Sequence, residues 1–257
     1  MSTSVVNVPV AAPRRVWPLV FQWSAAANPL PRRVIRGPGR SAAAPLGLGP
    51  PPGLQTGPMD APFDFCCHMR SLCSDIVLRS PDLDHIDVDR LLFAVTQARS
   101  RRAQGLQARV TPLRFHAGRP IRRRRGVDYQ VQRHFVDGRE ILYLVTFCLP
   151  RFLDQDFDDK FVTIFHELYH ISPAFDGDLR RHAGRCTVHS QCKRSYDRQM
   201  AGLARAYLAS GPDVDLHAFL RLNFTQLHAR HGRIIGIVVP QPKVVPVDTP
   251  CPSVAQA

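Results

Sequence analysis

Phe161-Val162-Thr163-Ile164-Phe165-His166-Glu167-Leu168-Tyr169-His170 is the stretch against which the rest of the chain can be placed, because it ends in H-E-x-x-H. On an α-helix, side chains four residues apart lie about 40° apart on one face, so His166 and His170 can share one metal ion. Glu167 is roughly 100° around from His166, close enough to reach a metal-bound water without being a ligand. Hydrolytic zinc needs that arrangement: neutral imidazoles hold the ion, one position stays open to water, and a carboxylate takes the water's proton. The chain has 11 His but only two Glu, Glu140 and Glu167. A composition so poor in Glu produces the pattern by chance roughly 0.004 times per chain, so coincidence is a weak account of it.

The neighbouring residues give the motif a helix to sit on. Phe157, Phe161, Ile164, Phe165 and Leu168 follow i, i+4, i+7, i+8, i+11 spacing, an apolar stripe about 160–180° away from the His pair. One side of the helix can enter a core while His166 and His170 face a cleft. Asp154, Asp156, Asp158 and Asp159 precede or open the helix, which suits N-capping and the positive end of its dipole. A catalytic zinc needs a third protein ligand, and His189, His182, Asp176 and Asp178 are the candidates downstream. The metzincin pattern would require His at position 176, which is Asp, so that family is excluded.

Working back from the motif, Val127 to Phe135 and Glu140 to Cys148 read as a hairpin around Val136-Asp137-Gly138-Arg139, an Asp-Gly turn. Its second strand is nearly all apolar from Ile141 to Phe147 and is expected to be central. Leu106 to Phe115 looks extended, with Ala108, Val110 and Leu113 inward and Pro112 marking an edge or a strand end. Arg122 to Arg125 form a four-Arg run expected in a loop. It is either a solvated block or a phosphate-binding patch without interleaved aromatics to stack on bases. Helices are predicted over Phe63 to Val77, Val88 to Arg99, Tyr196 to Ala209 and Val214 to His231, the last closed by Gly232. Ile234 to Val239 reads as a last strand, and the Pro-rich end from Pro240 as loose.

The net charge of +13 is unevenly distributed. Residues 1–58 hold six Arg, 11 of the 23 prolines and no Asp or Glu. So little apolar surface cannot offset the entropy of ordering, and the segment is expected to be a disordered tail. It loosely resembles an organelle transit peptide; the plainer expectation is that Met59 is the true start. No long apolar run marks a secretory signal or a membrane span. The seven cysteines, an odd number, lack framework spacing, which points to reduced thiols in a cytoplasmic protein. Cys186 and Cys192 flank His189, and Cys66, Cys67 and His68 cluster, but neither set has C-x-x-C pairs, so packing is the expected role.

The run His166-Glu167-Leu168-Tyr169-His170-Ile171-Ser172-Pro173, then Phe175-Asp176-Gly177-Asp178-Leu179-Arg180-Arg181, Gly184-Arg185 and His189-Ser190, resembles the phage-type metallopeptidases. More distantly it is similar to the SprT/Spartan-like minimal zincins. The resemblance implies an α+β, zincin-like domain over residues 59–240, with a small mixed or antiparallel sheet packed on the H-E-x-x-H helix and further helices behind it. Residues 241–257 would form a loose C-terminal tail. It also implies Zn²⁺ held by His166, His170 and a downstream His, taken as His189 with His182 as the alternative, and Glu167 as general base. The substrate would be a protein or peptide, with Tyr169, Arg180 or Arg185 able to steady an oxyanion. Two rival expectations stand beside it: a basic nucleic-acid-binding protein whose zinc is structural or absent, and an inactive zincin scaffold serving as an interaction module.

Overall fold

The computed structural model describes residues 19–23, 32–35, 62–98, 105–181 and 193–247. In chain order the first elements are β1 (Leu19–Trp23), β2 (Arg32–Ile35), β3 (Phe63–Asp64), α1 (Phe65–Arg79), β4 (Leu91–Gln97) and β5 (Ala108–Pro112). Then come β6 (Ile121–Arg124), β7 (Val127–Val131), β8 (His134–Val136), β9 (Arg139–Ile141), β10 (Tyr143–Leu149) and α2 (Phe157–Tyr169). The chain continues with α3 (Lys193–Ala209), α4 (Val214–His217), α5 (Phe224–His231), β11 (Ile234–Val238) and β12 (Val244–Pro246). The arrangement is mixed α plus β.

Strand β10 lies at the centre of a three-stranded sheet ordered β4-β10-β5, parallel to β4 and antiparallel to β5. Every residue of Tyr143–Leu149 is buried, which is what a near-continuous run of apolar, aromatic and β-branched residues requires of a strand covered on both faces. Helix α1 packs on β4 and α2 on β5. Phe65 meets Phe147 edge-on at 5.5 Å between ring centroids. A second sheet, β2-β1-β11-β3, lies against the first where β11 approaches β4. Gly236 permits that approach, since a Cβ there would stand 2.6 Å from Val95 Cγ2. Buried Lys160 ties α2 to the segment before α5, its Nζ donating to the Leu220 and Leu222 carbonyls at 2.8 and 2.9 Å.

The fold departs from expectation in five places. Leu91–Gln97, read as part of a helix from Val88 to Arg99, is a strand. Leu-Leu-Phe-Ala-Val satisfies either period, and parallel pairing with β10 decides between them. The hairpin at Asp137-Gly138 exists, with both residues at positive φ, but it joins only β8 to β9. Strand β7 turns instead to β6 and β12. The four-Arg run is a strand and its turn: β6 pairs with β7 around Arg125-Gly126, at φ 50° and 80°. The helix expected over Val214 to His231 is divided, because Asn223 and Gln226 form a capping box that starts α5 anew. Gly232 closes α5 in the left-handed conformation as expected.

The fifth departure concerns the ends of the chain. Within residues 1–58, expected to be disordered, β1 pairs antiparallel with β11 and with β2, and Phe21 is buried. A short β-prone segment gains from an open sheet edge the hydrogen bonds and cover that the tail's own composition cannot supply. Residues 244–246, expected to be loose, pair with β7. The remainder of 1–58 and residues 248–257 lie outside the described residues. Cys66, Cys73 and Cys148 are free and buried, consistent with packing roles; Cys186, Cys192 and Cys251 lie outside the described residues. Among the described residues no helix is long and apolar enough to cross a membrane.

Candidate functional site

Helix α2 is oriented by its stripe. Phe161, Ile164, Phe165 and Leu168 are almost completely buried, and Phe157 packs edge-on against Phe161. Asp156 occupies the N-cap position without a side-chain bond to the helix; its carbonyl accepts from Lys160. With the stripe fixed in the core, the other side carries the motif.

His166 Nε2 and His170 Nε2 are 2.9 Å apart, with their rings nearly perpendicular. Two nitrogens bound to one tetrahedral zinc at about 2.0–2.1 Å would stand about 3.3 Å apart, so the pair already converges on a single point. Without an ion, one ring can donate its Nε2–H to the other. The two rings therefore fit a shared metal as two of its donors.

Glu167 is buried, and its Oε2 accepts the Val110 backbone N–H at 2.7 Å. Val110 belongs to β5, the terminal strand of its sheet, so the bond fills a position on the outer rim of that strand. Burial pushes the Glu167 carboxyl up to about 7, against the opposing pull of the Val110 N–H and the Arg109 charge.

Tyr196, at the start of α3, packs on both imidazoles. It lies edge-on to His166 at 4.9 Å and stacked on His170 at 5.8 Å and 21°. Neither Tyr196 nor Val110 belongs to a sequence motif. The only trace of Tyr196 in the sequence is its place at the head of the apolar pattern continued by Met200, Leu203, Ala204 and Tyr207. Tyr169 and Arg180, considered for oxyanion contact, hold one another: the guanidinium lies 4.0 Å over the Tyr169 ring, and Arg180 Nε donates to the Tyr169 carbonyl at 2.8 Å. The Arg180 N–H also donates to the His170 carbonyl at 2.7 Å, closing the end of α2.

Among the described residues, no three His, Cys, Asp or Glu side chains come together to hold a metal. Asp178 Oδ1 accepts from Leu179 N and from Arg181, and Oδ2 from Ala117 N and His116 Nδ1. Burial would raise its pKa, but these donors hold it below the usual carboxylate range. Asp176 Oδ1 accepts the Asp178 N–H. The Asp176-Gly177-Asp178 turn thus clamps the loop at 116–118, and the histidine that Asp178 steadies is His116. His182, Arg185 and His189 lie outside the described residues.

That clamp also fixes the base of the β6–β7 hairpin. Arg122, Arg123, Arg124 and Arg125 are all exposed. Arg122 lies 4.7 Å over the Phe115 ring and opposite Tyr129 in the register, so the run has aromatic neighbours that its sequence alone does not reveal. Asp128 lies 3.9 Å from Arg123. No protein-family model, curated protein or solved structure matches this chain.

Proposed function

We propose that the chain is a zinc-dependent metallopeptidase of zincin-like fold, acting on protein or peptide substrates. His166 and His170 would be two ligands, His189 the third with His182 as the alternative, and Glu167 the general base. The observation that carries the reading is the convergence of the two Nε2 atoms at 2.9 Å on the helix that also carries Glu167. Bound zinc would supply an acidified water and a polarised carbonyl. The chain's own residues do the rest. The imidazoles bind as neutral donors, and Tyr196 fixes their rings by packing. Val110 anchors Glu167 Oε2, while Oε1, which makes no hydrogen bond with the described residues, can accept a proton. Free thiols at Cys66, Cys73 and Cys148 suit a reducing, cytoplasmic setting. The test is zinc content of the purified chain beside His166→Ala, His182→Ala and His189→Ala, with hydrolysis of an unstructured protein measured in parallel. Wild-type protein without zinc, or with zinc retained in all three variants, rules the reading out.

A second reading rests on the β6–β7 hairpin: a nucleic-acid-binding protein whose zinc is structural or absent. The four arginines stand exposed on the β6 edge of the three-stranded sheet β12-β7-β6 and its turn, where they can supply phosphate contacts. It requires duplex binding that weakens steeply with salt and whose salt slope falls in Arg122→Ala/Arg124→Ala. Binding indifferent to salt or to these residues excludes it.

A further inference from the structure

We infer that the second face of the β4-β10-β5 sheet, the one turned away from the helices, carries a binding site for a small oxyanion, separate from the His166–His170 pair. The inference does not require the peptidase reading, although Arg109 also acts electrostatically on the Glu167 carboxylate. It begins with alternation. Val110 on β5, Val145 and Phe147 on β10 and Val95 on β4 belong to the core, on the side where the helices pack. Side chains on the intervening positions point the other way. Register then sets four of them together: Arg109 pairs with Thr146 across β5 and β10, and Thr96 pairs with Cys148 across β4 and β10.

A cavity of about 350 Å³ opens over these residues, and Arg151 is part of its lining. Arg151 is buried, and its Nη1 donates to the Leu106 carbonyl at 2.9 Å. Gly105 makes room for it, since a Cβ there would lie 2.7 Å from the guanidinium. One cation of the site is therefore held in place before any ligand arrives. Arg109, exposed on the rim, forms no ion pair with the described residues. The cavity's described lining contains no carboxylate. Two arginines and two threonines line one volume whose described lining holds no carboxylate, a donor set that a phosphate or carboxylate group satisfies with charge-assisted hydrogen bonds. The volume is at the lower end of small-molecule sites, so the anionic group has space for a modest organic body.

The experiment titrates the full chain with inorganic phosphate and, separately, with succinate, at constant ionic strength set by sodium chloride. Calorimetry and thermal unfolding are the readouts. Saturable binding with a rise in Tm is expected for at least one of the two; the stronger response identifies phosphate or carboxylate as the group recognised. Arg109→Met, a change at an exposed position, should weaken binding by about tenfold or more, with Arg109→Lys intermediate. Arg151→Met should abolish it; if that variant fails to fold, Arg109→Met and Arg109→Lys decide the matter. Arg122→Ala/Arg124→Ala should bind like wild type, which separates the cavity from the basic hairpin. No saturable response to either anion overturns the proposal, as does binding that survives Arg109→Met unchanged or is lost with the hairpin arginines.

Discussion

Glu167 Oε2 accepts the backbone N–H of Val110 at 2.7 Å, so the acid of the H-E-x-x-H motif is fastened to the outer rim of β5. The bond holds the helix to the strand, and under the proposed function Glu167 has a second, separable duty as general base. Glu167→Gln keeps an oxygen to accept the Val110 N–H and removes the base. It should fold with wild-type stability, retain zinc and lose about 10²–10⁴-fold in hydrolysis. Glu167→Ala leaves a buried N–H without its partner and should be destabilised by about 1–3 kcal/mol as well. Denaturant unfolding, metal analysis and turnover of the two variants check this. Undiminished hydrolysis in Glu167→Gln would rule out its role as base.

Tyr196 stacks on His170 and meets His166 edge-on, so one ring from α3 restrains both imidazoles. Tyr196→Phe preserves that packing and should bind zinc as wild type does. Tyr196→Ala frees both rings and should weaken zinc binding by about 10–100-fold, the range found when residues supporting ligands are removed. Competition with a chromogenic chelator gives the two affinities. Equal affinity in Tyr196→Ala would show that the helix alone orders the pair.

The site and the fold were legible to different degrees for identifiable reasons. His166, Glu167 and His170 declare themselves because helical spacing fixes their relative angles, and the Phe161–Leu168 stripe then dictates which way they face. Val110 and Tyr196 do not, since they reach the motif through sheet order and helix packing that no local pattern encodes. Strand β4 is not separable from a helix in the sequence, because the short apolar run Leu91–Val95 has no period to distinguish the two. The tail's composition argued against order, yet β1 takes its partner from β11, more than two hundred residues later in the chain. Strand β10 and the β8–β9 turn were readable, because continuous apolarity and an Asp-Gly pair each have one common structural solution.

Gly236 packs against Val95 where β11 meets β4, with no space for a methyl group between them. Gly236→Ala should therefore cost about 1–3 kcal/mol through overpacking. Val95→Ala alone should cost a smaller amount typical of lost side-chain volume. The double variant should be more stable than the sum of the two predicts, because the smaller residue at 95 accepts the added methyl. Urea unfolding of the four proteins measures the coupling. Additive effects would mean that β11 shifts away from β4 rather than pressing on it.

His68 gives the fold a pH dependence whose sign can be worked out. The ring is buried, stacked on Phe63 at 4.1 Å, and bonded through Nδ1 to the Asp64 carbonyl at 2.8 Å. Burial lowers its pKa from 6.5 to about 4, outweighing the Asp64 carbonyl, and the nearby His231 adds to the lowering. Between these values the unfolded chain binds a proton that the folded chain excludes, so stability falls as pH drops from about 6.5 to about 4 and the loss ends below that. The full loss from this residue is about 3 kcal/mol. His68→Phe fills the same space without titrating. It gives up the bond to Asp64 at every pH, which lowers its stability uniformly, but its stability should decline less steeply over this window than that of wild type. The comparison isolates His68 because His85, His134 and His217, whose pKa values burial also lowers, are present in both proteins. Parallel pH profiles for the two proteins would mean that the His68 ring takes up its proton without leaving the core.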